Sequence, residues 1–434
     1  MPYAYFLNPG IAPSVLYNWR ASRESIIIIL DEAHNLPELS RGIFSFKITM
    51  RQIELVEKEC ADYGDPEFLP RIRATDICEY IRNAIIDMEK ERLSEQEESR
   101  IMFQDFIDYI QISGKLTGEN LDYIIGGLDT LGDSIEEAKE KLGKVPRSHV
   151  KTLASELKFC FNAEESNYIA IIRKDNGGVF EAYCLDPSIV LKPLQESATI
   201  HLSGTLRPFD IYCRMTGFED LPAKAVENVF PEENLLIGYK RGIGTRFSDL
   251  NAEMFQKIGE EIQSIIQSIK RKTIVFFPSR NLMNQVIEII GNKGILVDSG
   301  DMDQIDLMHL ILKFKKGNRP LFTVIGGRLS EGINLPGKLL EIVILAGIPY
   351  PKPDVKQRTI MAYYDHLYGR GWDYAVTFPT LVKMRQTIGR LIRNVDDRGV
   401  ALILDERAEI FKDYLKGLRE FIDARLEIET FFDE

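Results

Sequence analysis

Ser25-Ile26-Ile27-Ile28-Ile29-Leu30-Asp31-Glu32-Ala33-His34 is the stretch whose reading decides the fold. Its four successive isoleucines are β-branched and favour extended backbone. A run apolar on both faces predicts a central strand of a parallel sheet. In sheets of that kind ligands bind beyond the carboxyl ends of the strands, where Asp31 and Glu32 stand. Adjacent acids there suit nucleotide hydrolysis. The first holds Mg²⁺, directly or through water, and the second orients and deprotonates the attacking water.

Working outward, three textures follow one another. Residues 1–45 hold the isoleucine strand. Over 46–160 apolar residues recur at helical spacing (Tyr80, Ile81, Ala84, Ile85, Met88; Phe103, Phe106, Ile107, Ile110), which predicts a helical insertion. Inside it, Asp87–Arg100 is so rich in charge that it reads as a solvated helix or turn. Strand texture resumes with Tyr168–Arg173 and Thr199–Leu202, so 161–215 is expected to complete the first domain. From 216 to 434 strands alternate with helices. The strands are expected at Thr273–Phe277, Gly294–Val297, Leu321–Ile325, Glu341–Ala346 and Val400–Leu404. The helices are expected at Met254–Ile269, Leu282–Ile290, Gln304–Phe314 and Leu381–Arg393. Alternation of this kind predicts an α/β domain, a parallel sheet with helices on both faces.

A chain of 434 residues is long enough for two or three domains. No apolar run approaches the roughly 20 residues of a membrane span, and the N-terminus does not read as a secretory signal, so a cytoplasmic protein is expected. The five cysteines (Cys60, Cys78, Cys160, Cys184, Cys213) show no C-x-x-C spacing and read as reduced and structural. The formal net charge of −12 argues against a protein that coats DNA generally. It leaves room for a local basic groove that binds a single strand.

Further motifs carry chemistry. Gln386, Arg390 and Arg393 lie at i, i+4 and i+7 in Gln386-Thr-Ile-Gly389-Arg390-Leu-Ile-Arg393, which predicts one shared helix face. Two guanidiniums on one face can stabilise charge spreading over a transferring phosphoryl group. The loop Gly326-Gly327-Arg328-Leu329-Ser330-Glu331-Gly332 follows a strand, and its glycines let backbone N–H groups approach phosphate or DNA. Ser203-Gly204-Thr205 follows another strand and offers hydroxyls for coupling. Gly332-Ile-Asn-Leu-Pro-Gly337-Lys338-Leu339 nearly matches the phosphate loop G-x-x-x-x-G-K-[ST]. It ends in Leu, which cannot ligate Mg²⁺, and it precedes a strand where a phosphate loop should open a helix. No other match occurs in these residues.

In order and spacing these motifs resemble the XPD branch of superfamily 2 DNA helicases, archaeal type. Pro2-Tyr3-Ala-Tyr5-Phe6-Leu7-Asn8-Pro9 is similar to the segment after that family's iron–sulfur cysteines, and Asp31 to Leu36 matches its motif II. The helical insertion matches its Arch domain. Ser203-Gly204-Thr205 matches motif III, Phe276-Phe277-Pro278-Ser279 motif IV, Gly327 to Gly332 motif V and Gln386 to Arg393 motif VI. Asp397-Arg-Gly399 and Leu404-Asp405-Glu-Arg407 also fit. Asn334 stands where many relatives carry Asp. The bacterial DinG branch shares motifs V and VI in similar form, and the length and helicity of the insertion favour XPD.

The resemblance implies two RecA-like P-loop-NTPase lobes, the first incomplete, with an Arch insertion. It implies an ATP-dependent 5′→3′ DNA helicase of nucleotide excision repair. Its cofactors would be ATP and Mg²⁺, and its partners single-stranded or forked DNA and repair proteins. Asp31 would hold the metal. Glu32, Gln386, Arg390 and Arg393 would be catalytic, with Arg390 facing Asp31. His34, Gly327, Glu331 and Gly332 would border the nucleotide. Ser203, Gly204, Thr205, Ser279 and Arg328 would couple it to DNA. Motif I, motif Ia and the family's iron–sulfur ligands have no counterpart in these residues. The chain is therefore expected to be deficient in ATP hydrolysis; it is also expected to be a monomer, and a non-catalytic DNA-binding fragment is the competing reading.

Overall fold

In chain order the strands of the first half are β1 (Ile27–Leu30), β2 (Phe46–Thr49), β3 (Glu67–Leu69), β4 (Ile72–Arg73), β5 (Glu98–Ile101), β6 (Tyr168–Arg173), β7 (Val179–Cys184) and β8 (Ala198–His201). They come from a computed structural model that describes residues 3–163, 165–219, 221–246, 248–329 and 337–433. The chain divides into two compact units. The first holds the residues up to Ser203 with Phe209–Leu221 and Pro353–Gly371. The second holds Gly204–Pro208, Pro222–Lys352 and the residues from Trp372 onward. No helix among the described residues is long and apolar enough to cross a membrane.

In the first unit β1 pairs in parallel with β8, Ile27 opposite Ala198 through Leu30 opposite His201. The expectation of a central strand buried on both faces is corrected here. Among the described residues β1 has β8 as its sole neighbour, and Ile27, Ile29 and Ile200 are exposed. One face of this two-stranded sheet is therefore apolar and uncovered within the described chain.

The inserted part is helical, as its periodicity predicts, but it is built on a sheet. Strands β2, β7, β6 and β5 pair antiparallel in that order. Tyr168–Arg173 thus joins the sheet of β2 and β5. The end of the charged stretch read as solvated forms strand β5, whose Ile101 is buried. On β7 the side chains alternate, as they must at a period of two. Phe180, Ala182 and Cys184 enter a core with the helices Met50–Asp62, Ala74–Arg92, Phe103–Gly114, Gly118–Lys141 and His149–Asn162. Glu181 and Tyr183, on the other face, meet the helix Val355–Tyr368. Lys356 Nζ lies 2.5 Å from a Glu181 carboxylate oxygen and 4.7 Å from the Tyr183 ring centroid. Tyr364 of the same helix accepts a 2.7 Å hydrogen bond from the buried Arg41. A helix from the region read as the second domain is in this way part of the first unit.

The second unit contains β9 (Leu235–Tyr239), β10 (Thr273–Phe277), β11 (Leu296–Val297), β12 (Leu321–Val324), β13 (Ile342–Leu345), β14 (Gly399–Ile403) and β15 (Arg419–Glu420). They form one parallel sheet in the order β11-β12-β10-β13-β14-β9-β15. The strands expected from the sequence are present, and β9 and β15 are additional. Alternate residues serve two cores. Ile274, Phe276, Val343 and Leu345 pack under the helices Gln304–Lys316 and Phe378–Ile388. Val275, Phe277, Ile342 and Ile344 pack under Ala252–Ser268, Arg280–Ile290 and Ala424–Asp433. Gly337–Leu339, the end of the near-match to a phosphate loop, forms a 3-10 turn that leads towards β13 rather than opening an α-helix.

One buried carboxylate ties three helices of the inserted part together. Glu59 accepts from Lys139 Nζ at 2.5 Å, Ser148 Oγ at 2.8 Å and the Val150 N–H at 2.9 Å. Burial pushes this carboxyl up, but the bonds from Lys139, Val150 and Ser148 outweigh it and hold the group below its ordinary value of 4.5. Glu59→Leu, which removes the acceptor shared by these donors and leaves Lys139 only its bond to Arg147 O, is expected to cost about 2–4 kcal/mol. Urea unfolding, followed by hydrogen exchange in the helix His149–Asn162, measures it. Because the folded value is depressed, the Glu59 contribution is complete above pH 4.5 and is lost as pH falls below it. The gap between the two proteins should therefore narrow in acid.

Candidate functional site

The acids stand where strand β1 ends. Beyond Leu30 the parallel ladder runs on for one more step, with Leu202 N–H donating to Leu30 O (2.8 Å) and Ala33 N–H to Leu202 O (2.9 Å). That pairing brings the residues after β1 against the residues after β8. Asp31 Oδ1 accepts the N–H of Glu32 at 3.0 Å. Glu32 itself lies in the left-handed region (φ 50°, ψ 42°), turning the chain sharply into the 3-10 helix Ala33–Asn35. The turn buries His34 and leaves the Glu32 side chain 64% exposed.

Three of the expected residues meet here. His34 Nδ1 and Ser203 Oγ are 2.7 Å apart, Ser203 Oγ donates to Glu32 Oε2 at 3.4 Å, and His34 Nδ1 is 3.3 Å from the same oxygen. Glu32 is thus held by Ser203 and His34 while its carboxylate stays accessible to water, as a general base requires. Asp31 is exposed and offers one carboxylate at a strand end. That donor set fits Mg²⁺, which keeps several waters and binds through one or two carboxylates plus substrate phosphates. Among the described residues no cluster of three or more His, Cys, Asp or Glu could hold a metal by itself.

Sequence reasoning did not single out the groups behind these acids. His201 Nδ1 lies 2.6 Å from Tyr212 Oη, and burial pushes the imidazole down to about 4, so it is neutral near pH 7. The Tyr3 hydroxyl is pushed up by burial, then by the charges of Asp31 and Glu32. The signal for His201 was its place on the strand next to Ser203.

In the second unit the arginine-bearing segment departs from the expected geometry. The helix Phe378–Ile388 contains Gln386 but stops before Arg390. Its last turn tightens, with Leu391 N–H donating to Ile388 O (3.0 Å), and Asp397 Oδ2 accepts from the N–H groups of Arg393 (2.8 Å) and Asn394 (2.9 Å). Gln386, Arg390 and Arg393 therefore do not share one helix face. The two arginines ride on a capped turn, Arg390 half-buried and Arg393 exposed. At Gly389 a Cβ would come within 2.9 Å of Arg385 O, so the tight exit favours glycine.

The glycine loop is described only in part. Gly326 has φ +77°, Gly327 N–H donates to Val324 O at 3.2 Å, and Arg328 donates to Met302 O. Ser330, Glu331 and Gly332 lie outside the described residues. Ser279 acts as an N-cap, its Oγ accepting from Leu282 N–H at 3.2 Å, a structural task for a residue expected to couple to DNA. Of the Ser203-Gly204-Thr205 segment, Ser203 closes a stretch of the first unit, and Gly204 and the buried Thr205 belong to the second.

Three family models match successive parts of the chain: DEAD_2 over residues 1–53, a helical and beta-bridge domain over 56–249, and a helicase C-terminal domain over 262–422. The ATP-dependent DNA helicase CHL1 of Candida albicans is 24% identical over 93% of this chain and 55% of its own length. The ATP-dependent DNA helicase XPD of Sulfolobus acidocaldarius is 24% identical over 88% of this chain and 65% of its own. The chain thus spans little more than half the length of the first of these relatives. The solved structure of S. tokodaii Xpd4 superposes with a TM-score of 0.65 at 21% identity, covering 96% of this chain and 81% of that one. It shows a shared fold.

The backbone at Glu32 gives a direct test of the turn. A left-handed residue with a Cβ costs about 1–2 kcal/mol relative to glycine. Glu32→Gly is therefore expected to be about 1 kcal/mol more stable than Glu32→Ala in urea unfolding. Equal stabilities would mean that Glu32 does not occupy this conformation in solution.

Proposed function

This chain belongs to the XPD family of superfamily 2 DNA helicases, and on that premise we propose that it forms the greater part of an ATP-driven DNA motor. The meeting of Glu32, His34 and Ser203 carries the reading: it joins the hydrolytic acids to the segment that continues into the second unit. Asp31 holds Mg²⁺, which neutralises phosphate charge when bound. Glu32 takes the proton of the attacking water. Ser203 and His34 keep its carboxylate aimed, and Gly204 and Thr205 pass a change at the acids along the chain. Arg390 and Arg393 stabilise charge on the transferring phosphoryl group, with Gln386 at the γ-phosphate. Gly327, Glu331 and Gly332 border the nucleotide, and Arg328 and Ser279 lie on the DNA side. The segment from β2 to β7 is the inserted domain, in the place of an Arch.

The finer reading is a helicase of 5′→3′ polarity that opens DNA during excision repair. Relatives named for XPD support it, while those named CHL1 share the ATP-dependent DNA helicase activity in their names and not the repair role. Single-stranded DNA is the expected ligand. With a net charge of −12 its affinity should be modest and should fall steeply with salt, since each neutralised phosphate releases counterions.

These 434 residues contain no G-x-x-x-x-G-K-[ST] sequence. Without it, hydrolysis lacks the seat for the β- and γ-phosphates, and positioning is most of phosphoryl-transfer catalysis. The 434-residue polypeptide is therefore expected to hydrolyse ATP no faster than background. Supplying a phosphate loop within the same polypeptide should give hydrolysis stimulated by single-stranded DNA. There Glu32→Gln should lower kcat at least a hundredfold while ATP still binds, and Arg390→Ala should lower it similarly. Robust, Glu32-dependent hydrolysis by the 434 residues alone would overturn the assignment of roles.

A further inference from the structure

The helix Gln304–Lys316 in the second unit carries apolar side chains beyond the stripe that faces its core. Leu307, Leu310, Ile311 and Phe314 turn inward and pack in the core. Ile305, Met308 and Leu312, at i, i+3 and i+7, form a second row that is 64%, 57% and 46% exposed. Surface helices of globular proteins keep their apolar side chains mostly on the core-facing stripe, so a second, exposed apolar row marks a face for another molecule to cover. Nothing among the described residues covers this row.

A basic rim borders it. His309, Lys313, Lys316 and Arg319, with Leu312 and Gly317, line a shallow concavity of about 410 Å³. Arg319 also lines an adjoining concavity of about 310 Å³ with Lys270 and Arg271. Arg271 is paired with Glu341, whereas Lys313, Lys316 and Arg319 pair with no acid among the described residues. Nor are they needed to satisfy the helix end. Lys272 Nζ does that, donating to the carbonyls of Phe314 (2.6 Å), Lys315 (3.0 Å) and Gly317. In a chain of net charge −12, a set of unpaired cations beside an uncovered apolar row calls for an outside partner.

We propose that this face docks an acidic, amphipathic helical segment of a partner protein. From Ile305 to Lys316 the row and rim span about three helical turns, roughly 16 Å at 1.5 Å per residue. A partner helix with apolar side chains at matching spacing and Asp or Glu beside them satisfies both parts of the surface at once. A nucleic acid does not. Its phosphates would meet the rim but leave the aliphatic row uncovered, the row has no aromatic ring for a base to stack on, and Asp301, Asp303 and Asp306 at the other end would repel it.

The test uses the 434-residue chain and a fluorescein-labelled 18-residue helical peptide of leucine and glutamate, the leucines at i, i+3 and i+7. Fluorescence anisotropy at low salt should show micromolar binding that weakens as salt rises, with hydrogen-exchange protection confined to 304–319. Lys313→Glu with Lys316→Glu should weaken it at least tenfold and let the chain take up the leucine–lysine counterpart instead. Leu312→Ser should weaken the glutamate peptide while keeping its preference over the lysine peptide. All three substitutions are at exposed positions, and thermal unfolding verifies that the variants fold. The proposal fails if the variants bind the peptide as the parent does, or if the exchange footprint lies elsewhere. It fails equally if an 18-nucleotide single strand displaces the peptide from this helix, or if sedimentation shows the row buried between two copies of the chain.

Discussion

The parallel pairing of Ile27–Leu30 with Ala198–His201 is the constraint on which the first unit hangs. Both strands are short, and everything between them in sequence, a complete sheet and five long helices, is inserted through that one seam. Register decides chemistry here. With Leu30 opposite His201, the ladder carries Leu202 and Ala33 past the strand ends, and Ser203 arrives beside His34 and Glu32. A slip of one residue would turn alternate side chains to the opposite face and carry the Ser203 hydroxyl away from the acids. The seam is thinly supported for so large a burden, because Ile27, Ile29 and Ile200 leave one of its faces without a covering layer among the described residues.

The inserted part and the second unit rest on firmer ground. Each has a core of large aliphatic and aromatic side chains with almost no exposure, and the second unit's sheet is covered on both faces. The residues proposed for function lie outside these cores. Asp31 and Glu32 lie on a left-handed turn, and Arg390 and Arg393 on a capped exit from a helix. Rigid elements deliver these side chains to short, strained or polar connections at the surface, where binding residues are commonly found.

How legible this was depended on the range of the forces involved. The parallel strands of the second unit were readable because fully buried strands are continuous apolar runs, and the helices between them because they carry a 3.6-residue period. β15 is only two residues long, and in β9 Gly238 interrupts the apolar run. Residue order revealed that Asp-Glu-Ala-His ends a strand, but not that Glu32 adopts a positive φ. Arg390 and Arg393 were read onto the helix of Gln386 from spacing alone, yet Gly389 and the acceptor Asp397 end that helix first. Tyr168–Arg173 was recognisable as a strand, while its pairing with Glu98–Ile101 and Val179–Cys184 is a tertiary fact. The burial of His201 against Tyr212 is likewise a tertiary fact.

The helix Val355–Tyr368 belongs to the first unit although its neighbours in sequence on both sides belong to the second. Dissection of the molecule is constrained by this. A fragment begun near Pro222 to isolate the parallel sheet takes the helix along and strips it of its company. Buried Val355, Ile360 and Tyr364 would then face water, and the remaining piece would lose the ammonium of Lys356 from beside the buried carboxylate of Glu181. Neither unit can be excised as a continuous length of polypeptide. A soluble fragment would need this helix replaced by a linker in one piece and restored in the other, so that domain boundaries here are surfaces in space rather than positions along a chain.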